Sequence, residues 1–192
     1  MKREDFVKNL CKDLSGTFVE VGTCWGGFAE FLVLNTNLTK LYCVDPYKVF
    51  SPHFYFDALN FVKQTDLDKK FEIVKNRLEP SGKVKMLRQV SYEGAKSIQE
   101  PVDFVYIDGN HQHHQVLKDL VIWWNKLRPG GLMVGDDVED ISQPHTDGDL
   151  LIDRGNGSFG LYGVATALQD FASICPSFNY TVVGNQFYAW KK

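Results

Sequence analysis

Three aspartates and a histidine in the second half of the chain have the right types and spacing for cation-assisted proton chemistry. Asp108 closes the apolar run 102–108, and Asp136 closes the run 131–136 with Asp137 directly after it. Neighbouring parallel strands bring their carboxyl ends close together on the ligand-binding side of an open α/β sheet. Carboxylates at that separation repel one another unless protonated or neutralised. A hard cation resolves the conflict, since magnesium takes oxygen ligands octahedrally and keeps positions open for water and a ligand's oxygens. His111 follows Asp108 by three residues at a helix start, and imidazole titrates near neutrality, so it can take a proton from a hydroxyl. The plainer alternative is that one aspartate points away or caps a loop, and that His111 belongs with His113 and His114 to a solvent-facing run.

A second group lies near the start of the chain. Phe18-Val19-Glu20-Val21-Gly22-Thr23-Cys24-Trp25-Gly26-Gly27 reads as an apolar strand running into an acid, a glycine turn and an amphipathic segment. Open α/β sheets hold nucleotide-like cofactors this way. Helix-start amides attract phosphate, and a carboxylate beside them repels it. A cationic amino-acid cofactor without phosphate therefore fits better. Glu20 is costly to bury without a cationic or donor partner, while Gly22 and Gly26 remove bulk where backbone must come close. Asp45 lies 25 residues beyond Glu20 at the end of the second run, where a carboxylate can accept ribose hydroxyls.

The elements that must position these groups alternate. Strand-like runs at 17–21, 41–45, 83–87, 102–108 and 131–136 are separated by helical patterns. Phe28, Phe31, Leu32 and Leu34 form one apolar stripe; Val116, Leu117, Leu120, Trp123, Trp124 and Leu127 form another. Alternation of this kind predicts an α/β fold, a doubly wound, mostly parallel sheet covered by helices on both faces. The runs 178–183 and 186–190 flank Gly184-Asn185, which predicts an antiparallel hairpin at one edge and brings the strand count to seven. Residues 1–14 read as a helical lead-in to a single domain spanning 1–192. Residues 142–160, polar and rich in Asp and Gly, are too long for an ordinary connection and read as a lid loop. The aromatics Tyr47, Phe50, Phe54, Tyr55 and Phe56 could line a pocket mouth.

Composition narrows the partners. With 44% hydrophobic residues the 192-residue chain can bury a sizeable core. Its net charge of −3, with basic residues scattered, disfavours nucleic acid. Cys11, Cys24, Cys43 and Cys175 lack metal-ligand spacing and read as free thiols of a reducing compartment. The charged opening Met1-Lys2-Arg3-Glu4-Asp5 leads into no apolar signal core, and no stretch is long enough to span a bilayer. The expectation is a cytoplasmic protein without a membrane partner.

Taken in order, these motifs resemble the class I S-adenosylmethionine-dependent methyltransferases, within them a branch of small O-methyltransferase-like proteins associated with a divalent metal. The resemblance rests on Glu20 to Gly27, Val44-Asp45-Pro46-Tyr47 and Val105-Tyr106-Ile107-Asp108-Gly109-Asn110-His111. It continues through Asp119-Leu120 with Trp123-Trp124, Leu127-Arg128-Pro129-Gly130-Gly131, Gly135-Asp136-Asp137 and Gly163 to Leu168. It implies a Rossmann-like fold with S-adenosylmethionine at Glu20, Gly22, Thr23, Gly26, Asp45 and Asp108, and adenine near Gln89 and Ser91. Ser91 could equally cap the helix that begins at Tyr92-Glu93. The resemblance further implies Mg2+ or another divalent cation on Asp108, Asp136 and Asp137, with His111 and Asp108 as the catalytic pair. The expected reaction is O-methylation of a small hydroxyl-bearing acceptor, with a homodimer as one way to complete the pocket. One departure is Cys24, where the commonest cofactor turn has glycine. Two other readings remain open: an NAD- or nucleotide-sugar-linked enzyme on a similar sheet, and a catalytically idle binding protein.

Overall fold

The alternation of apolar residues becomes a sheet whose strand ends are level. The structure, a computed structural model, describes residues 2–51, 62–153 and 159–192. In chain order the elements are α1 (Arg3–Leu10), β1 (Ser15–Val21), α2 (Gly27–Asn35), β2 (Asn37–Val44), α3 (Gln64–Leu78), β3 (Val84–Leu87), α4 (Ser91–Ser97) and β4 (Val102–Ile107). There follow α5 (His113–Lys126), β5 (Leu127–Gly135), β6 (Leu150–Asp153), β7 (Phe159–Tyr162), α6 (Val164–Ile174), β8 (Tyr180–Val183) and β9 (Gln186–Trp190). Seven strands form one sheet in the order β3-β2-β1-β4-β5-β9-β8. The first five are parallel; β9 runs antiparallel to β5 and β8 antiparallel to β9.

Register decides what stands along the carboxyl edge. Val21 pairs with both Val44 and Ile107, Val44 with Leu87, and Ile107 with Gly135. One residue further on, Asp45, Gly22, Asp108 and Asp136 therefore emerge side by side. Successive side chains alternate between the two sheet faces. Phe18, Cys43, Phe104, Tyr106 and Val134 pack against α1, α2 and α3, whereas Val19, Val44, Val105, Ile107 and Met133 pack against α4, α5 and α6. Both tryptophans of α5 are buried on the latter side.

Several expectations shift in detail. β2 begins at Asn37 instead of 41, and β5 at Leu127 instead of 131, although the carboxyl ends fall within one residue of those read from the sequence. Asn37-Leu38-Thr39-Lys40 lacks a continuous apolar run, yet it pairs with the start of β1, with a register shift between Gly16 and Thr17. The closing hairpin forms as expected, with Val183 opposite Gln186 and Gly184 at φ +66° in its turn. Within the 142–160 stretch, the described residues include β6, which pairs antiparallel with β7 as a separate two-stranded sheet. β6 and β7 are four residues each, too short for a periodicity to be seen in sequence. Phe54, Tyr55 and Phe56, and residues 154–158 of the lid stretch, lie outside the described residues. All four cysteines are free, and no helix among the described residues is long and apolar enough to cross a membrane.

Candidate active site

The glycine turn after β1 is shaped by what it touches. Gly22 has φ +92°, and a Cβ there would run into the Asp108 carbonyl oxygen at the end of β4. Gly26, at φ +70°, starts α2 against Val74 and Leu78 of α3. Between them Cys24 holds φ +49°, a left-handed conformation that costs an L side chain roughly 1 kcal/mol or more. A lattice of hydrogen bonds holds it there. Asp45 Oδ2 accepts the Cys24 N–H at 2.9 Å, its Oδ1 accepts the Tyr47 N–H at 2.8 Å, and the Tyr47 hydroxyl donates to the Cys24 carbonyl at 2.8 Å. Burial raises the Asp45 carboxyl above its ordinary range, while those two amides and the charges of Lys70 and Arg88 pull it down. Lys70 Nζ lies 4.3 Å from the centre of the Trp25 ring and 3.5 Å from Cys24 Sγ.

Glu20 sits beneath the turn, only 2% exposed, with Oε2 lacking a hydrogen-bond partner among the described residues. Burial pushes its carboxyl up to about 8, and Asp108 and Asp45 add to the push. The Thr23 hydroxyl and Arg3 offset this in part. Thr23 Oγ1 is likewise buried outside hydrogen-bond geometry. Neither residue forms the wall of the cavity that opens above Gly22, which measures about 650 Å3 and is lined by Gly22, Asp45, Ser91, Asp108, His111 and Asp137 among others. That volume lies within the roughly 300–1,000 Å3 of small-molecule sites.

The reactive end of the cavity brings together Asp108, His111 and Asp137. Their ligand atoms all lie within 4.8 Å of one another. His111 Nε2 is 3.1 Å from Asp137 Oδ2 and 3.5 Å from Asp108 Oδ1. The imidazole stacks on Tyr162 at the end of β7, with ring centres 5.1 Å apart and planes 10° from parallel, and the Gly163 N–H donates to the His111 carbonyl at 2.7 Å. The end of β7 and the residue after it thus back the histidine directly.

Asp136 stays outside this group, contrary to the ligand set expected from the sequence. Its Oδ2 accepts the Tyr106 hydroxyl at 3.0 Å, and its Oδ1 accepts Asn185 Nδ2 at 2.8 Å and the Asp137 N–H at 2.9 Å. Arg3 Nη1 reaches it at 3.5 Å. The reason is the pleat. Asp136 follows Val134 onto the α1 face, whereas Asp137, turned to φ +59°, swings toward the α5 side where His111 waits.

At the other end, Ser91 and Gln89 part company. Ser91 lines the cavity and its hydroxyl accepts the Trp123 indole N–H at 2.8 Å; it is the first residue of α4, one place inside the cap position at Val90. Gln89 Oε1 accepts from Ser97 and is not among the lining residues. Asp119 of α5, which belongs to a motif of the resemblance but has no site role in the sequence, is a buried carboxyl on the cavity wall, pushed by burial to about 7 and only partly restrained by Ser91 and Lys118. Arg3, Tyr162 and Lys70 also reach the site without belonging to any motif of the sequence. An aromatic just before the last helix was the one visible hint of Tyr162; nothing in the sequence marks Arg3.

A level row of strand ends, a glycine turn after the first strand and an acid after the second define a class I α/β cofactor-binding protein. Residues 19–138 match the family described as a methyltransferase domain, more than half of the chain, and the chain belongs to that family. Uncharacterized protein R132 of Acanthamoeba polyphaga mimivirus is 28% identical over 129 residues, which are 65% of this chain and 52% of that protein. The chain thus spans about half the length of this relative. Among solved structures, SMU.1697c of Streptococcus mutans, in complex with SAH, superposes with a TM-score of 0.62 at 13% identity over 100% of this chain and 99% of its own. The O-methyltransferase from Bacillus cereus, also in complex with SAH, gives 0.60 at 15% identity over 96% and 76%. At such identities the likeness is one of fold, and that fold is the Rossmann-like methyltransferase fold.

Proposed function

We propose that this protein transfers a methyl group from S-adenosylmethionine to the hydroxyl of a small acceptor, with a divalent ion held by Asp108, His111 and Asp137. Asp45 carries the cofactor part of this reading. It faces the cavity, and its Oδ2 takes the Cys24 N–H that a phosphate-binding turn would present to its ligand. Each carboxylate oxygen has further lone pairs, so Asp45 can accept two ribose hydroxyls without releasing the turn. An acid in this place also serves NAD sites, so what weighs against NAD or a nucleotide sugar is that the turn amide a phosphate would need is already taken. Glu20, beneath the turn and off the cavity wall, acts on a bound ammonium at one remove, through water or through the turn above it. The SAH carried by the two solved relatives supports the same cofactor.

The reactive group fits an ion. Separations of 3.1 and 3.5 Å from His111 Nε2 to two carboxylates are near the roughly 3 Å edge of an octahedron with 2.1 Å bonds. Two carboxylates and an imidazole suit magnesium and, through the nitrogen, manganese or another first-row ion. When bound, such an ion acidifies the acceptor hydroxyl and fixes its direction. Tyr162 keeps the imidazole plane fixed and excludes water from that side. The exposed flank of Asp137, its side chain 38% exposed, leaves solvent to take up the released proton. The remaining rate gain comes from orientation and electrostatics, with acceptor oxygen, methyl carbon and sulfonium in line. A second reading is favoured by the same two distances. Without an ion, His111 Nε2 flanked by two carboxylates is itself the proton acceptor.

Calorimetry with S-adenosylmethionine and with NAD tests the cofactor. Binding of the first and not the second is expected, with Asp45→Asn weakening it on the order of tenfold or more, as loss of charge-assisted hydrogen bonds does. NAD binding in place of S-adenosylmethionine overturns the proposal. Dialysis against EDTA separates the two proton routes: turnover lost and restored by Mg2+ or Mn2+ supports the ion, and turnover unchanged assigns the proton to His111.

A further inference from the structure

Arg3 belongs to no motif of the sequence, yet its side chain enters the reactive group from behind. Nη1 donates to Asp108 Oδ2 at 3.1 Å and stands 3.5 Å from Asp136 Oδ2, with the guanidinium carbon 4.7 Å from the centre of the Phe28 ring. Burial works against its charge, but Tyr106, Asp108, Asp136 and Glu4 together outweigh that and hold it protonated. The other oxygen of the same carboxylate, Asp108 Oδ1, faces His111 Nε2. The terminal torsion of an aspartate is broad and soft, so a carboxylate free at both ends samples many orientations. A planar guanidinium, braced by an aromatic face and a second carboxylate, restricts that rotation far better than a point charge on a flexible stem.

We propose that Arg3 is a positioning residue for the cation site, gripping Oδ2 of Asp108 so that Oδ1 is aimed at the point shared with His111 and Asp137. This rests on the reading that those three residues hold a divalent ion. Two effects of Arg3 have opposite signs, which makes the inference decidable. Its charge repels an incoming cation, so Coulomb's law alone predicts tighter ion binding when it is removed. Aiming predicts weaker binding.

The test is a Mn2+ titration of the full chain, read by the paramagnetic resonance of the free ion, for the parent, Arg3→Met and Arg3→Lys. S-adenosylmethionine affinity and thermal unfolding are measured alongside. Arg3→Met should weaken Mn2+ binding about tenfold or more, the range commanded by groups that orient metal ligands. Its cofactor affinity should stay within about twofold of the parent's, a split that general damage to the fold does not produce. Arg3→Lys keeps the repelling charge and loses the fork, so its affinity should fall at least as far as that of Arg3→Met; it decides the matter alone if Arg3→Met does not fold. Unchanged or tighter Mn2+ binding in either variant overturns the role of Arg3 and leaves the ion site standing. A parent that binds no Mn2+ overturns the ion site and this inference together.

Discussion

Glu20→Gln is the most informative single substitution, because an amide imitates the protonated acid and cannot ionise. In the folded protein the Glu20 carboxyl releases its proton near pH 8, against 4.5 for the group in water. Between those values the native state binds a proton that the unfolded chain has given up, so the Glu20 contribution makes stability fall as pH rises. At about 1.4 kcal/mol for each pH unit, the interval sets a ceiling of about 5 kcal/mol. Relaxation and water penetration reduce such penalties, and roughly 2–4 kcal/mol is the expected size. For a chain of this length that is roughly 5–15 °C in Tm. The assay is thermal unfolding of the cofactor-free protein from pH 5.5 to 9. Asp45 and Asp119 also sit above their ordinary ranges, so the decisive quantity is the difference between parent and variant. The variant should gain on the parent as pH rises, and saturating S-adenosylmethionine should restore the parent more than the variant at pH 8.5. Parallel curves across the range would refute the claim that Glu20 is buried without adequate partners.

Other substitutions probe the rest of the site. Gly22→Ala places a methyl group against the Asp108 carbonyl at a φ of +92° and should cost roughly 3 kcal/mol or more of unfolding free energy, measured by urea denaturation. Asp137→Asn and Asp136→Asn should behave oppositely despite their adjacency. The first should weaken Mn2+ binding on the order of tenfold or more with little change in stability. The second should cost about 1–3 kcal/mol of stability through its contacts with Tyr106, Asn185 and Arg3 while shifting Mn2+ affinity far less. Equal effects of the two on ion affinity would show that Asp136 is also a ligand.

Much of the site was legible because it depends on where strands end. Val21, Val44, Ile107 and Gly135 finish apolar runs, and the polar residue after each run is where the sheet stops burying side chains. Asp45, Asp108 and the aspartate pair could therefore be placed on one edge without knowing how the strands pair. Which of two consecutive aspartates turns to the cavity could not be read, since that depends on the backbone at Asp137 and on Asn185 and Tyr106 taking up Asp136. The substitution of His111 for Asp136 in the reactive group has the same origin. Tyr162 and Arg3 were hidden more deeply. Each reaches the site from far along the chain, through the pairing of two short strands and the docking of a short helix whose Phe6 and Val7 mark a buried face but not where Arg3 reaches.

The sequence alone determined the α/β order, the glycine turn, the carboxyl ends of the strands and the acids just beyond them, because each follows from local periodicity and from where an apolar run must stop. Tertiary structure alone decided which carboxylate oxygens meet His111, which aspartate Arg3 and Tyr106 engage, and that Glu20 lies beneath the wall and not on it. Those outcomes depend on pleat parity, helix docking and loop closure, which couple residues more than 100 positions apart, as Arg3 and Asp108 are, and no local pattern encodes such a distance.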